Sequence, residues 1–159
     1  MTLKIQHALV LLLALTLLSG CNALNKVKNL EAQSSSVYHE SLDNYFVRND
    51  VETKKLQKLI IYDQATFDRY FGAGATMGTG GQPTPINFNT QYVLAVVLPQ
   101  TDRATTVTIQ EVLQTGNSVI INYHVDKGAK MGYNMVPYAG VVLYKPESAQ
   151  SMEFYFMEK

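Results

Sequence analysis

After residue 36 the chain alternates short apolar segments with polar, turn-forming ones, and this pattern predicts a mainly β fold. A strand with one face in water alternates apolar and polar residues, whereas a strand covered on both faces shows a continuous apolar run. The unbroken run from Val93 to Leu98 therefore predicts a central strand. The predicted strands are 45–48, 56–62, 92–98, 105–113, 119–125, 139–145 and 152–157.

Turn residues and side-chain types refine this prediction. Gly116-Asn117 separates two alternating strands and is a hairpin signal. Leu59, Ile60 and Ile61 are contiguous, which indicates a strand covered on both faces. The segments are rich in β-branched and aromatic residues, as strands generally are. We therefore expect a single β-rich domain over residues 37–159, a β-sandwich or barrel-like antiparallel sheet with one short α-helix.

The one predicted helix lies between the second and third strands. Asp63 is placed to cap a helix over residues 64–71, in which Phe67 with Tyr70 or Phe71 forms an apolar stripe. Gly72 is the predicted helix stop. The glycine-rich stretch 72–85 predicts a long connecting loop rather than a phosphate cradle, because Met77 replaces the third glycine of a Gly-x-Gly-x-x-Gly pattern.

The N-terminal residues resemble a bacterial lipoprotein signal. Lys4 supplies positive charge, Ala8 to Leu18 form an apolar stretch too short to span a bilayer, and Ser19-Gly20 are small enough for a peptidase site. Cys21, the only cysteine, follows directly. The resemblance implies that residues 1–20 are removed and that Cys21 is lipidated, since this cysteine is the acylated residue in bacterial lipoproteins.

Residues 22–36 connect the expected anchor to the domain. They are mostly polar with few large apolar groups, which is typical of a flexible tether; a short helix around 24–30 is the alternative. Asn22 stands where many lipoproteins of the inner membrane carry aspartate. By that sorting rule we expect a protein of the bacterial cell envelope that is lipid-anchored in the outer membrane. The sequence after Cys21 has no acidic cluster of the kind that some lineages use for surface export, so we expect the domain to face the periplasm.

Composition narrows the classes of partner. The chain has 13 basic and 13 acidic residues and no run of like charge, so nothing favours nucleic acid or an electrostatic contact with membranes. With Cys21 used by the lipid, the domain has no cysteine for a disulfide or for thiol chemistry. Its stability must come from an apolar core.

The sequence contains no recognisable catalytic set. No serine lies in a Gly-x-Ser-x-Gly elbow. Asn122, His124 and Asp126 alternate along one strand face, for which a water-facing polar surface is a simpler interpretation than a metal site. We expect no enzyme, no metal, no cofactor and no small-molecule substrate. A hydrolase that uses His124 and Asp126 is the least favoured alternative.

Two predicted loops carry the candidate partner-binding residues. If the four strands between residues 92 and 145 run up and down as neighbours, the loops 99–104 and 126–138 lie at the same end of the sheet. Tyrosine and arginine among small residues are typical of recognition surfaces. The alternative is an ordinary pair of loops whose tyrosines pack on the core. The candidate residues are Asp102, Arg103, Lys130, Tyr133, Asn134 and Tyr138.

Short motifs between residues 67 and 145 carry a second resemblance. They are the helix around Phe67, Ile86-Asn87-Phe88, the strand 93–98, and the Pro137-Tyr138 step into the strand that ends at Lys145. Together they resemble the C-terminal domain family of the protease complex subunit PrcB, small bacterial β-rich domains often found in exported or lipid-anchored proteins. The family often carries a Thr-Gly-Gly-Tyr turn after the central strand, where this chain reads Asp-Arg-Ala-Thr at 102–105.

These features predict a membrane-anchored lipoprotein that acts as a non-catalytic binding or accessory module. The resemblance implies a partner that is a protease, which the domain associates with or inhibits; another envelope protein is also compatible with the residues. The alternative from a different class is a structural envelope lipoprotein without a specific partner.

Overall fold

The computed structural model describes residues 24–74, 80–146 and 151–159 and confirms a mainly β fold, consistent with a β-sandwich. The described strands form two four-stranded sheets and one two-stranded sheet. The strands are β1 (Ser35–Ser36), β2 (Glu40–Ser41), β3 (Tyr45–Val47), β4 (Gln57–Ile61), β5 (Phe71–Ala73), β6 (Gln91–Val97), β7 (Thr101–Thr115), β8 (Ser118–Met135), β9 (Tyr138–Tyr144) and β10 (Glu153–Glu158). The helices are α1, described from residue 24 to residue 32, and α2 (Gln64–Tyr70).

Apart from the β7–β8 hairpin, the two large sheets pair strands that are not consecutive in the chain. Sheet A has the order β1-β7-β8-β10 and sheet B the order β2-β9-β6-β4, while β3 and β5 form sheet C. All pairings are antiparallel except that of β10, which runs parallel to β8 from Glu153↔Ser118 to Glu158↔Tyr123. The predicted hairpin at Gly116-Asn117 is confirmed, because Thr115 pairs with Ser118.

Three apolar clusters hold the layers together. Sheets A and B pack face to face through alternate residues of β6, β8 and β9. The other face of sheet B is covered by α2 and sheet C, with Phe67 and Phe71 buried against β6. The other face of sheet A is covered by α1, whose Val27 packs with Leu113 and Ile120. Strand β6 is therefore buried on both faces, as its apolar run predicted.

Helix α2 begins at its predicted cap but ends differently. The Asp63 side chain accepts a hydrogen bond from the Thr66 backbone N–H at 2.8 Å, which satisfies a free donor of the first turn. The helix stops at Tyr70, and β5 begins at once with Phe71 in an extended conformation. The prediction that Gly72 stops the helix is thus wrong. Gly72 is a strand residue that pairs with Phe46. A Cβ on residue 72 would lie only 2.5 Å from the Phe46 ring, so glycine leaves room for this ring.

Part of the predicted loop 72–85 is structured. Its first residues belong to β5, and residues 75–79, which include Met77, lie outside the described residues. Beyond them the Asn44 side-chain amide donates to the carbonyls of Gly80 and Gln82 at 2.7 and 2.9 Å. The end of the loop is therefore fixed to the turn before β3.

The predicted up-and-down order of four neighbouring strands is wrong. β6 and β9 pair in sheet B, β7 and β8 pair in sheet A, and the chain changes sheet between β6 and β7 and again between β8 and β9. Pro99 and Pro137 lie at these two changes, where a residue without an N–H interrupts a ladder. The chain folds back at these two prolines, so that the β7–β8 pair in sheet A packs against the face of the β6–β9 pair that points toward sheet A.

Two further expectations need correction. Strand β4 is an edge strand rather than one covered on both faces, because it pairs only with β6 among the described strands, and Ile60 is 37% exposed. The flexible tether predicted for residues 22–36 is wrong from residue 24 onward: α1 and β1 are formed there, as the alternative of a short helix allowed. Burial of Val27 explains the difference, since a tether would leave it in water. In the described residues we find no helix that combines the length and apolar character needed to cross a membrane.

Candidate partner-binding site

The predicted binding residues lie on a two-stranded connection between the sheets, which we name the crossover ribbon (residues 98–106 and 125–137). The two loops predicted to meet do lie side by side, but as paired strands, with Thr101 opposite Met135 and Thr105 opposite Lys127. At its base the Leu98 N–H donates to the Pro137 carbonyl at 2.9 Å. The described ladders of β10 and β1 do not reach the ribbon, since they end at Tyr123 and at Leu113.

Two irregularities in β8 shape the ribbon. Between the pairs Thr101↔Met135 and Arg103↔Lys130, β7 contributes one residue and β8 contributes four, residues 131–134. The surplus residues bulge outward, as extra residues in one strand do. Tyr133 is consequently 67% exposed, and Asn134 is exposed beside it. This bulge is the part of the ribbon best placed to contact another molecule.

The second irregularity lies between Arg103 and Thr105, whose partners are Lys130 and Lys127. Gly128 sits in this bulge and passes so close to the opposite strand that a Cβ there would be 2.9 Å from the Ala104 carbonyl oxygen. Glycine is needed here for close approach of the backbones.

Two of the candidate charges form an ion pair, and a third is hydrogen-bonded to the backbone of the ribbon. Lys130 Nζ lies 3.1 Å from Asp102 Oδ2, and the Arg103 guanidinium donates to the Gly128 carbonyl at 3.3 Å. The Lys130 side chain is 74% exposed and that of Asp102 is 45% exposed, so this ion pair adds less than about 1 kcal/mol to stability.

Tyr138 differs from the other candidates because it belongs to the core. Its hydroxyl donates to the Tyr45 carbonyl at 2.6 Å, and its ring centroid lies 5.3 Å from that of Phe71. Burial raises the pKa of Tyr138 above its usual value. For Tyr138 the structure shows the alternative, a tyrosine that packs on the core, whereas Tyr133 is exposed to solvent.

Two clefts flank the ribbon. One, of about 260 Å³, is lined by Asn134 and Met135 together with Phe46 and Gln100. The other, of about 270 Å³, is lined by Leu98, Pro99, Val125, Lys127 and Glu158 among others. Sequence reasoning missed Phe46, which is 48% exposed, because it lies in β3, far from the two predicted loops. A phenylalanine in an otherwise ordinary edge strand gives no signal in a single sequence.

A larger cleft lies away from the ribbon and is a weaker candidate for a binding site. It has about 620 Å³ and is lined by residues of the β3–β4 connection and by Arg69 and Tyr70 of α2. Some of its charges are already paired, since Arg48 Nε lies 3.0 Å from Asp50 Oδ1 and Lys54 Nζ lies 3.3 Å from Glu52 Oε1. Volume alone does not favour it over the ribbon, whose exposed aromatic residue is the stronger sign of recognition.

The polar residues considered for metal binding or hydrolysis are dispersed. Asn122 is buried under α1, whereas His124 Nδ1 donates to the Lys159 carbonyl at 2.6 Å and Asp126 lies on the ribbon. Within the ranges 24–74, 80–146 and 151–159, no three His, Cys, Asp or Glu side chains converge to hold a metal ion. Cys21, the predicted lipidation site, lies outside the described residues.

Comparisons of the chain with models of protein families, with curated proteins and with solved structures find no match.

Proposed function

We propose that this chain is a bacterial envelope lipoprotein, anchored in the outer membrane through Cys21, whose domain is a non-catalytic binding module facing the periplasm. The observation that carries the proposal is the crossover ribbon: residues 131–134 bulge from it directly after the Arg103↔Lys130 pair, and Tyr133 in this bulge is 67% exposed. Tyrosine supplies a large contact area at low entropic cost, and tyrosine and arginine are both enriched among the residues that contribute most to binding.

The partner we favour is a protein, and in particular an envelope protease that the domain assists or inhibits. The resemblance to the PrcB C-terminal domain family supports this choice, and two motifs that carry it have structural roles here. Phe67 is 2% exposed in the α2 core, and residues 93–97 belong to the buried strand β6. The ribbon reads Asp-Arg-Ala-Thr at 102–105 in place of the family's Thr-Gly-Gly-Tyr turn. The proposed binding surface therefore differs in sequence from that of the family.

The test is a crosslinking pull-down of the full-length anchored protein from its native cells, with and without the double substitution Arg103→Ala and Tyr133→Ala. We expect a stoichiometric partner whose recovery falls at least about tenfold in the double variant, as loss of a central tyrosine and arginine typically costs more than 1 kcal/mol. The matched control is Tyr144→Ala, because Tyr144 is 60% exposed and lies at the end of β9 away from the ribbon.

The alternatives give different results in the same experiment. Equal recovery of a partner by the double variant would move the binding site away from the ribbon. Absence of any saturable partner would favour the structural envelope lipoprotein. A hydrolytic activity that disappears in His124→Ala would show that the protein is an enzyme.

A further inference from the structure

Helix α1 ties the N-terminal part of the chain to one end of sheet A. Lys26 Nζ lies 3.2 Å from Glu153 Oε2, and Glu153 is opposite Ser118, where the β8–β10 ladder begins beside the β7–β8 turn. Glu31 Oε1 lies 2.9 Å from Lys159 Nζ, beyond the other end of that ladder. Helix α1 therefore runs along β10 with its N-terminal end next to the turn.

The attachment of α1 is apolar as well as ionic. Val27 is 6% exposed and packs with Leu113 and Ile120, and Leu30 packs against the same cluster. Apolar burial stabilises such contacts more than exposed ion pairs do. The helix is therefore part of the folded domain and moves with it.

Chain geometry then separates Cys21 from the crossover ribbon. Cys21 precedes Leu24 by three residues, so its Cα lies within about 11 Å of the start of the described helix. Strand β8 runs from Ser118 at the turn to Lys127 on the ribbon, a distance of about 30 Å at roughly 3.3 Å per residue. The start of the described helix, three residues after Cys21, and the ribbon thus lie toward opposite ends of sheet A.

We propose that the anchored domain stands upright on the bilayer, with the turn end of sheet A against the lipid headgroups and the crossover ribbon about 30 Å farther out. This inference rests on the proposed lipidation of Cys21. The turn itself, residues 114–118, is polar and carries no charge, and Glu153 beside it is paired with Lys26. The lipid chain and the short connection hold this end at the surface, so the orientation does not depend on anionic lipids or on salt.

Energy transfer from dyes on the full-length lipidated protein to acceptor-labelled headgroups, in phosphatidylcholine vesicles, tests the orientation. The donor dye is attached to one introduced cysteine, either Ser151→Cys near the turn or Ala129→Cys on the ribbon; both positions are exposed. We expect several-fold stronger transfer from position 151, unchanged by salt. Equal transfer from the two positions would overturn the upright orientation and indicate a domain that tumbles on a loose connection.

Matched helix variants test whether α1 sets the orientation. Val27→Asp places a charge in the apolar contact and is expected to equalise the two signals, whereas Asn29→Asp puts the same residue on the exposed face of α1 and leaves the contrast intact. A contrast that survives Val27→Asp would overturn the role of α1. Circular dichroism verifies that the β-sheet is retained.

The chain without an introduced cysteine tests the lipidation of Cys21 separately from the orientation of the domain. If Cys21 is lipidated, its sulfur is consumed and this protein takes up no dye, because it has no other cysteine. Labelling of this protein, with no flotation on vesicles, would overturn the proposed anchor itself rather than the orientation of an anchored domain.

Discussion

Glu31, like Lys26, connects helix α1 to sheet A through an ion pair. Its carboxylate accepts a hydrogen bond from Lys159 Nζ at 2.9 Å. This hydrogen bond is the main reason that the pKa of Glu31 lies below its usual value, and the Asn122 amide lowers it further, against the opposing effect of burial. The neighbouring Asn122 Oδ1 is buried and has no hydrogen-bond partner in the described part of the chain. Glu31 thus contacts both Lys159 and Asn122 where α1 packs on sheet A.

Glu31 should make the fold sensitive to acid. Its pKa is lower in the folded than in the unfolded chain, so its contribution to the free energy of unfolding is present at pH 7 and disappears as the pH falls below about 4. We expect Glu31→Gln to lose less than about 1 kcal/mol at pH 7 and to show a smaller further loss between pH 7 and pH 3 than the unsubstituted protein. Urea unfolding at several pH values measures this.

The control for that experiment is Glu111→Gln, since Glu111 is an exposed carboxylate of β7 outside the ion pairs identified in the described chain. An identical pH dependence of Glu31→Gln and the unsubstituted protein would show that the Glu31–Lys159 contact contributes nothing in solution.

Single residues were predictable where the deciding partner is close in sequence. Asp63 caps α2 through Thr66, three positions away, and the sequence shows this directly. Tyr133 and Tyr138 were predicted as equals, yet Tyr133 is exposed and Tyr138 is partly buried against the core. The difference arises from Tyr45 and Phe71, which are distant in sequence and meet Tyr138 only after β3 and β5 have packed on sheet B.

At the scale of elements, the crossover ribbon was predicted as two loops because its sequence lacks apolar alternation. Residues 126–134 include Gly128, Ala129 and Gly132 and little that is apolar. Backbone pairing with β7 nevertheless continues through them, since a ladder needs no particular side chains on an exposed segment. By contrast, β4, β6, β9 and β10 were located to within one or two residues, because burial of one or both faces imposes a pattern.

Glycine substitutions in the ribbon test its shape. Gly128→Ala would place a Cβ 2.9 Å from the Ala104 carbonyl oxygen, so one strand must shift, at a cost of about 1–3 kcal/mol. Gly132→Ala meets nothing within 4 Å and is expected to change stability by less than about 0.5 kcal/mol. Urea unfolding gives both values, and amide chemical shifts should move around residues 101–106 in Gly128→Ala only. Equal effects of the two substitutions would contradict the close approach at Gly128.

For the whole molecule, the layered class was predictable and the pairing of strands was not. A strand as apolar as β6 requires cover on both faces, and this requirement implies layers. Which strands cover β6 depends on where the chain passes from sheet B to sheet A and back, near Pro99 and Pro137. Helix α1 was not the favoured prediction because the segment is mostly polar. Among its described residues only Val27 is buried, and one apolar residue does not make a helical pattern in the sequence.

This layered arrangement predicts a gradient of local stability. Amide hydrogen exchange of the full-length protein, followed by mass spectrometry of peptides, should be slowest in β6, which is buried on both faces and paired with β4 and β9. It should be at least about a thousand-fold faster in residues 128–134, whose backbone lies in an exposed two-stranded segment. Helix α1 should exchange between these extremes, because it opens by leaving sheet A without unfolding the sandwich. If residues 24–32 exchange as fast as in an unfolded chain, α1 is not docked and a flexible tether is favoured. If they are protected as strongly as β6, α1 separates from sheet A only when the whole domain unfolds.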